Sequence, residues 1–208
     1  MDFQSTLFAP DRPAETTADD FTGLERRSLT RGAWVDVCRG WLPRADEVFE
    51  TLVRDVPWRA ERRQMYDRLV DVPRLVHTYM IGDPLPHPVL DEARDALSRH
   101  YEPELGEPFR TAGCCYYRDG RDSVAWHGDT IGRGRSTDTM VAIVSVGDPR
   151  RLHLRPRAGG ADPIQVEMGH GDLVVMGGSC QRTWEHAVPK VAHAGPRISV
   201  QFRPLNVF

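Results

Sequence analysis

The sequence predicts an α+β fold in which helices come first and an antiparallel β core follows. Residues 43–55 and 87–101 carry apolar side chains at the three- and four-residue spacing of amphipathic helices. From about residue 110 the chain consists of short β-rich segments separated by turns that contain glycine. Many short strands at such spacing are typical of a sandwich, a barrel or a jelly roll.

The chain has 208 residues, a length that fits one domain with an ordinary core. Residues 1–30 are polar and combine prolines with a cluster of threonines and acids, so we predict a loosely held N-terminal arm. Residues 31–208 are predicted to form the domain, with its β core at about 110–205. The predicted strands of this core are residues 111–118, 138–146, 150–156, 172–177 and 197–204.

Composition narrows the class of protein further. The formal charge is −3, which excludes a globally basic nucleic-acid binder and leaves only local basic patches for such a contact. The 4 cysteines include no C-x-x-C pair, which favours reduced thiols and a cytoplasmic location. No segment approaches the roughly 20 apolar residues of a membrane span. We therefore expect a soluble monomer with no membrane partner.

The segment 56–82, between the two predicted helices, differs from both. It interleaves the aromatic residues Trp58, Tyr66 and Tyr79 with arginines, a combination that suits contact with stacked bases and phosphates. The alternative is a half-buried loop that covers the core.

His127 and Asp129 stand two residues apart at the end of a presumed strand. Side chains at i and i+2 of a strand face the same side, so the imidazole and the carboxylate can converge on one metal ion. His186 is the best candidate for a third ligand, and two histidines with one carboxylate form a facial triad that leaves positions open on Fe(II). Other histidines downstream that could replace it are His153, His170 and His193.

Arg197 and Arg203 lie six residues apart in the last predicted strand. On a regular strand both side chains would project inward together with Ser199 and Gln201. A buried arginine is costly unless an anion pairs with it, so this strand predicts a dicarboxylate ligand held by guanidinium groups. An edge strand with exposed arginines is the alternative.

In their order and spacing, these segments resemble the AlkB family of Fe(II)- and 2-oxoglutarate-dependent dioxygenases over residues 45–205. The blocks that carry the resemblance are RQMYDRLVDVPRL, CYYRDG, WHGD, RRLHLRPR, GDLVVMGG, QRTWEHAVPK and PRISVQFR. The resemblance implies a double-stranded β-helix (jelly roll) core with N-terminal helices and a nucleotide-recognition lid at about 56–82.

The resemblance also implies roles for individual residues. Fe(II) would bind His127, Asp129 and His186, and Arg197 would bind the distal carboxylate of 2-oxoglutarate. Further 2-oxoglutarate contacts are implied at Tyr117, Ser199 and Arg203.

The implied activity is oxidative demethylation of N-alkylated bases in DNA, with RNA as a second candidate, using O₂ and releasing succinate, CO₂ and formaldehyde. Substrate contacts are then expected at Trp58, Tyr66, Tyr79, Ile131, Arg133 and Arg135. Two alternatives stay open. One is a related hydroxylase of a protein or a small molecule, and the other is a non-catalytic jelly-roll binding module.

The sequence departs from the usual family pattern at three positions. Cys115 and Ser199 stand where the family usually has asparagines that contact 2-oxoglutarate. Ile131 stands where many members carry an acid that touches the damaged base.

Overall fold

The computed structural model describes residues 18–65, 68–160 and 163–207, apart from the side chains of residues 62–71. Two antiparallel sheets face each other, and helices cover the outer side of the larger one. In chain order the elements are β1 (Glu25–Ser28), β2 (Ala33–Cys38), α1 (Ala45–Asp55), β3 (Arg59–Met65), β4 (Arg68–Tyr79), α2 (Pro88–Leu105), β5 (Thr111–Tyr117), β6 (Val124–His127), β7 (Val141–Gly147), β8 (Arg150–Pro156), β9 (Ile164–Met168), β10 (Leu173–Gly178), α3 (Cys180–Thr183), β11 (Trp184–Val188) and β12 (Arg197–Arg203).

The strand order identifies the jelly roll that the sequence predicts. The 8-stranded sheet has the order β1-β2-β10-β7-β12-β5-β4-β3, and the 4-stranded sheet has the order β6-β11-β8-β9. Consecutive strands such as β7 and β8 therefore lie in different sheets. This crossing of the chain between sheets brings β5, β6, β11 and β12 around one interior space.

Helices α1 and α2 pack on the outer face of the larger sheet. Leu52 of α1 and Leu97 of α2 are fully buried in one apolar cluster with Phe202 of β12. Helix α2 begins with Pro88, whose fixed φ suits a first helical turn, and ends at Gly106 with a φ of 72°. The helical spacing of apolar residues in the sequence thus corresponds to a buried face in the structure.

A second apolar cluster fills the space between the two sheets. Val141 and Ile143 of β7 face Leu152 and Leu154 of β8 across this space. The adjacent residues Cys114 and Cys115 belong to the outer and the inner cluster respectively, as strand alternation requires. The parity of each strand therefore decides which side chains reach the interior.

Both predicted helices and the predicted core strands are present, whereas several strands were not predicted. Strand β1 lies within the predicted arm 1–30 and pairs with β2, so the end of that arm belongs to the sheet. The predicted lid 56–82 contains β3 and β4, which extend the larger sheet as a hairpin. Edge strands such as β1 are exposed on both faces and lack the alternation that identifies a strand in sequence. Residues 1–17 of the arm lie outside the described residues.

None of the helices in the described ranges is both long enough and apolar enough to cross a membrane.

A buried carboxylate fixes α2 against β2. Asp36 is 0% exposed and accepts hydrogen bonds from Arg26 Nε and Nη2, both at 2.7 Å, and from the Tyr101 hydroxyl at 2.8 Å. The Arg26 guanidinium also lies 3.8 Å from the centre of the Trp34 ring. Because each partner comes from a different element, the Asp36 charge joins β1, β2 and α2.

We expect Tyr101→Phe to lower the free energy of unfolding by about 1–3 kcal/mol, because a hydrogen bond to a buried charge is lost. Urea denaturation followed by circular dichroism measures the change. Tyr116→Phe is the matched control, since Tyr116 of β5 is partly exposed and does not contact Asp36. Equal stability of Tyr101→Phe and the wild type would show that the Arg26 contacts alone hold Asp36.

Candidate active site

Three ligand-type side chains meet where β6 and β11 pair. His127 of β6 stands directly opposite His186 of β11 in the strand register, and their ring centres are 4.2 Å apart. Asp129 completes the group, and the ligand atoms of the three residues all lie within 4.8 Å of one another. Two imidazoles and one carboxylate at this spacing can bind a divalent cation on one face and leave its other positions open.

The carboxylate reaches this place by a different route from the one that the sequence predicts. Strand β6 ends at His127, so Asp129 lies in the following loop and strand alternation does not orient it. Instead the Asp129 amide donates a 2.9 Å hydrogen bond to Gln181 Oε1. A side chain at Gly128 would clash, because its Cβ would lie 2.6 Å from the carbonyl oxygen of Gln181. Close packing of this turn against Gln181 therefore positions the ligand.

The other histidines downstream of β6 point elsewhere. His153 lies between the inward-facing Leu152 and Leu154, and its ring is 6.3 Å from the Trp126 ring. His170 accepts a 2.9 Å hydrogen bond from the Gly147 amide, and His193 is exposed in a loop. In the described part of the chain, His186 is thus the downstream histidine that joins His127.

Burial sets the charge state of the three residues. Burial, and then the neighbouring His127, lower the pKa of His186 to about 3, and burial also lowers the pKa of His127. Burial alone would raise the pKa of Asp129, but Arg203 and the two histidines lower it to about 2. Near neutral pH the site therefore offers two neutral imidazoles and a carboxylate, the forms that bind a metal ion.

The ligand triad borders a cavity between the two sheets. Its apolar wall comes from Val141, Ile143, Leu152, Met168 and Val188, together with Val124. Its polar lining consists of Arg74, Cys115, Tyr117, His127, His186, Arg197, Ser199, Gln201 and Arg203.

Strand β12 projects alternate side chains into this cavity, as the sequence predicts. Arg197, Ser199 and Gln201 are 2%, 2% and 8% exposed, and all three line the cavity. The alternative of an exposed edge strand is wrong, because β12 lies between β5 and β7.

Arg197 has one of its nitrogen atoms buried and unpaired. Its Nε donates to Ser145 Oγ at 2.9 Å, and its guanidinium carbon lies 5.2 Å from the centre of the Tyr117 ring. Its Nη1 is buried without a hydrogen-bond partner among the described residues. Burial lowers the pKa of Arg197, which is the cost of a cation without an anion.

Arg150 is a second buried arginine, and its Nε is likewise without a hydrogen-bond partner among the described residues, but its other nitrogens meet several carbonyl groups. It is 3% exposed and donates to the carbonyl oxygens of Asp119, Asp122 and Pro189, at 3.2, 2.9 and 2.6 Å. Arg197 has no comparable set of acceptors. A carboxylate in the cavity would supply the missing acceptor, so the residues present fit one end of 2-oxoglutarate, with Tyr117 and Ser199 beside it.

Arg203 lies at the other end of the cavity. Its Nε donates to Asp129 Oδ2 at 2.7 Å, which leaves Oδ1 on the side of His127. Gly113 of β5 makes room for this side chain, since a Cβ there would lie 2.8 Å from Arg203 Nη1. Arg203 thus orients a metal ligand.

Sequence reasoning missed Arg74 and Gln181 as members of the site, whereas Cys115 lines the cavity at a position that the family resemblance had marked as a cosubstrate contact. Arg74 Nε donates to Cys115 Sγ at 3.3 Å, and Arg74 Nη1 donates to the Ser123 carbonyl at 3.2 Å. Arg74 lies in a segment of sequence without a clear alternation of polar and apolar residues. Only the pairing of β4 with β5 therefore shows that its side chain faces the cavity. Gln181 belongs to the short helix α3, which carried no signal of its own.

Two of the three aromatic residues predicted to stack on a base, Trp58 and Tyr79, do not line this cavity. Trp58 packs against the outer cluster and donates from Nε1 to the Leu52 carbonyl at 3.1 Å. Tyr79 is 9% exposed and is part of the same outer cluster. Both side chains contribute to the helix-to-sheet packing and neither lines the cavity, so their contact with substrate stays a prediction. Tyr66 lies outside the described residues.

The remaining predicted substrate residues are in the loop that follows Asp129. Ile131 is 68% exposed, and Arg135 is exposed as well. Arg133 makes an ion pair with Glu107, so it is partly neutralised rather than presented to a phosphate.

Comparison with known proteins identifies the family. Residues 77–203 match the model of the 2OG-Fe(II) oxygenase superfamily, which covers more than half of the chain. The chain belongs to this superfamily. It is 34% identical over 205 residues to the alpha-ketoglutarate-dependent dioxygenase alkB homolog 3 of Bos taurus, a match that covers 88% of this chain and 67% of that protein. The corresponding human protein is 32% identical with the same coverage. The chain is therefore also an AlkB homologue, as its motifs indicate.

Two further matches are consistent with this family assignment. The Arabidopsis thaliana protein named DNA oxidative demethylase ALKBH2 is 32% identical over 139 residues, covering 56% of this chain and 43% of that protein. The solved structure of OsALKBH1 superimposes with a TM-score of 0.57 at 13% identity, covering 86% of this chain and 99% of that one. At such low identity the superposition shows the shared fold alone.

Family membership and the ligand triad together establish the cofactors. The AlkB homologue is a dioxygenase that uses Fe(II), 2-oxoglutarate and O₂, as predicted, and His127, Asp129 and His186 are the residues that fit the metal. The alternative of a non-catalytic binding module is set aside.

We expect the metal-free protein to lose stability as the pH falls below about 6.5, the ordinary pKa of histidine. Unfolded His186 takes up a proton there, whereas folded His186 does so only at its lowered pKa of about 3. His186 alone should lower the free energy of unfolding by about 1.4 kcal/mol between pH 7.5 and pH 5.5. Denaturation in the presence of a chelator at both pH values measures this loss.

His186→Gln should reduce that pH dependence, and His193→Gln should not, because His193 is an exposed histidine outside the site. The comparison is made within each protein, so a general loss of stability in His186→Gln does not affect it. The same pH dependence in His186→Gln as in the wild type would contradict the assigned burial of His186.

We expect Arg197→Gln to weaken 2-oxoglutarate binding by about 100-fold or more, since removing one partner of a buried ion pair costs about 3–5 kcal/mol. Arg197→Lys should recover only part of the affinity, because the planar fork is lost. Calorimetric titration of the Mn(II)-loaded protein measures the affinity. Arg151→Gln, at an exposed arginine of β8, is the control, and an unchanged affinity in Arg197→Gln would exclude Arg197 from the site.

Proposed function

We propose that this AlkB homologue oxidatively demethylates N-alkylated bases in DNA, with RNA as a second substrate to be tested. The single observation that carries the proposal is a facial triad beside a buried arginine, Arg197, whose Nη1 has no partner among the described residues. The chain that carries both is 34% identical to an alkB homolog. The name of the Arabidopsis relative, a DNA oxidative demethylase, supports the choice of substrate.

Different residues along the cavity would bind the metal, bind the cosubstrate and exclude water. With Fe(II), 2-oxoglutarate and O₂ bound, the site supplies oxidation of a C–H bond coupled to conversion of 2-oxoglutarate to succinate and CO₂. His127, Asp129 and His186 hold the metal, and Arg197 holds the distal carboxylate. The apolar wall excludes water from the reacting atoms. Hydroxylation of an N-methyl group gives a product that loses formaldehyde and restores the base.

The surface around the metal-binding turn suits a nucleic-acid strand. The Arg155 guanidinium lies 4.2 Å from the centre of the partly exposed Trp126 ring, next to the ligand His127. Arg157 packs over Gly128, where a Cβ would lie 2.7 Å from its Nη2. Arginines and an aromatic ring together can contact phosphates and a base. Both arginines also pair with Glu185, Arg155 at 2.9 Å and Arg157 at 3.6 Å, so two guanidinium groups and one carboxylate leave one net positive charge here.

The burial of the triad constrains the form of the substrate. Asp129 is 4% exposed and His186 is 7% exposed, so a base stacked within a duplex cannot bring its methyl group to the metal. The base must be flipped out or already single-stranded. The β3–β4 hairpin, whose Arg59 is exposed, extends the larger sheet beside β5 and is available to contact the strand.

The related alternative is a hydroxylase that acts on a protein or a small molecule. It would use the same metal and cosubstrate residues, so the site geometry does not favour it over the proposal. The arginines around the metal-binding turn favour nucleic acid.

The test is incubation with oligonucleotides that carry 1-methyladenine or 3-methylcytosine, as single-stranded DNA, duplex DNA and single-stranded RNA, followed by mass spectrometry. We expect loss of the methyl group with one succinate formed per methyl group removed. His127→Ala should lower this activity by more than about 100-fold, because the metal loses a ligand.

His193→Ala is the matched control and should retain wild-type activity, because it removes an exposed histidine outside the triad. Succinate formation that depends on His127 but does not respond to any methylated oligonucleotide would reject the nucleic-acid substrate. It would then favour the hydroxylase alternative.

A further inference from the structure

Cys115 differs from the other cysteines in its position and its exposure. It is partly exposed, whereas Cys38, Cys114 and Cys180 are buried. Its side chain lines the cavity, because it lies on the inner face of β5. Reactive cysteines are typically partly exposed and have cations beside them, since the thiolate is the form that an oxidant attacks. Cys115 meets the first of these conditions, and its neighbours decide the second.

Two guanidinium groups flank Cys115 on the neighbouring strands. Arg74 Nε, on β4, donates to Cys115 Sγ at 3.3 Å, and the thiol itself donates to Gln201 Oε1 at 3.8 Å. On the other side, Ser199 of β12 stands opposite Cys115 in the register, and Arg197 is the next inward-facing residue of β12. Such diagonal neighbours are roughly 7–8 Å apart, within reach of a long side chain. Cys115 therefore lies on the strand between two cations.

The cavity also contains an unpaired cation, which is an observation independent of the cysteine. Arg197 is 2% exposed, and its Nη1 has no hydrogen-bond partner among the described residues. The guanidinium groups of Arg74, Arg197 and Arg203 line the cavity, and no acidic side chain of the described residues lines it with them. An anion that forms inside this cavity would therefore be stabilised by the arginines.

Burial makes the other three thiols poor nucleophiles. It raises the pKa of Cys38 and of Cys114, and it raises the pKa of Cys180 to about 12. Cys114 is adjacent to Cys115 in sequence but belongs to the outer cluster, under the helices. These thiols are therefore internal controls for a reaction at Cys115.

Oxidation of Cys115 would create an anion inside the cavity. Hydrogen peroxide transfers one oxygen atom to the thiol: the O–O bond breaks, an S–O bond forms, sulfur loses two electrons, and the products are a sulfenic acid and water. A second molecule of peroxide gives a sulfinic acid, which is ionised near neutral pH, and a second water. The sulfenic acid is reversible, because two molecules of a thiol reductant convert it to the Cys115 thiol, a disulfide and water.

We propose that Cys115 is a peroxide-sensitive modification site whose oxidised form blocks the binding of 2-oxoglutarate. The oxidised sulfur would place oxygen atoms beside Arg197, the cation that the distal carboxylate needs, and would occupy space in the cavity. Oxidation and cosubstrate binding therefore exclude each other. The inference rests on the cosubstrate of the superfamily and is independent of the nucleic-acid substrate. The competing explanation is that Cys115 is only a small side chain that leaves room for Arg74.

The first experiment maps the modification in the wild-type chain. The Mn(II)-loaded protein, which avoids the reaction of Fe(II) with peroxide, is treated with hydrogen peroxide in the presence of dimedone, a trap for sulfenic acid. Mass spectrometry follows each cysteine, and fragment ions distinguish Cys114 from Cys115. We expect Cys115 to react at least about 10-fold faster than the three buried cysteines. Added 2-oxoglutarate at about 10 times its Kd should slow the reaction by about 10-fold, since only the unliganded fraction reacts.

The second experiment measures 2-oxoglutarate affinity by calorimetric titration of the Mn(II)-loaded protein before and after peroxide, without dimedone. We expect the wild type to lose affinity by about 10-fold or more, and dithiothreitol to restore it after brief treatment. The affinity of Cys115→Ser should not respond to peroxide. Cys114→Ala is the matched control and should respond as the wild type does. Each protein is compared with itself, so a change of stability or of initial affinity in a variant does not affect the result.

Three outcomes would overturn the proposal. Reaction of Cys115 no faster than that of the buried cysteines would leave it an inert side chain. Reaction that 2-oxoglutarate does not slow would place the thiol outside the space that the cosubstrate fills. Oxidation of Cys115 with unchanged 2-oxoglutarate affinity would show that the two do not exclude each other. None of these outcomes bears on the demethylation test, because no nucleic acid is present.

Discussion

The site depends on one charge that is kept out of water. The Asp129 carboxylate is 4% exposed, and it stays ionised because Arg203 donates to it at 2.7 Å. Its backbone is held separately by Gln181 of the short helix that precedes β11. A buried carboxylate with a fixed partner and a fixed backbone presents its second oxygen in one direction, toward the two histidines.

The jelly roll brings the other ligands to this charge. Pairing of β6 with β11 sets His127 opposite His186, and their sheet forms one wall of the cavity. Pairing of β12 with β5 sets Arg197 opposite Tyr117 in the facing wall. The metal ligands and Arg197 consequently lie at opposite ends of a cavity with an apolar wall. Electrostatic interactions in this cavity are strong because little water screens them. A molecule with an anionic group at each end matches that arrangement.

The same sheet has different chemistry on its two faces. Its inner face carries the arginines, Tyr117 and Cys115, while its outer face buries Cys114 and Phe202 under the helices. The aromatic residues Trp58 and Tyr79 belong to the outer face, where they help to attach α1 and α2. Trp126 and the Arg155 guanidinium stacked on it lie instead on the partly exposed surface beside the metal-binding turn.

The sequence by itself determined the properties that depend on local geometry. Helical spacing located α1 and α2, and the even separation of Arg197 from Arg203 placed both side chains on the inner face of β12. These inferences succeed because the periods of helices and strands follow from backbone geometry and need no knowledge of distant contacts. The spacing of His127 and Asp129 predicted that both would bind one metal ion, and the structure does bring them together. The expected cause, strand alternation, does not apply, because β6 ends at His127 and Gln181 holds Asp129.

Tertiary structure decided which side chains from distant segments of the chain come together at the site. It selected His186 among the downstream histidines by pairing β11 with β6, and it placed Asp129 through Gln181 rather than through strand alternation. It also placed Tyr79 on the outer face and brought Arg74 into the cavity. Such outcomes depend on pairings between strands far apart in the chain. A shift of one residue in register would reverse every side chain of a strand, so local pattern alone cannot fix them.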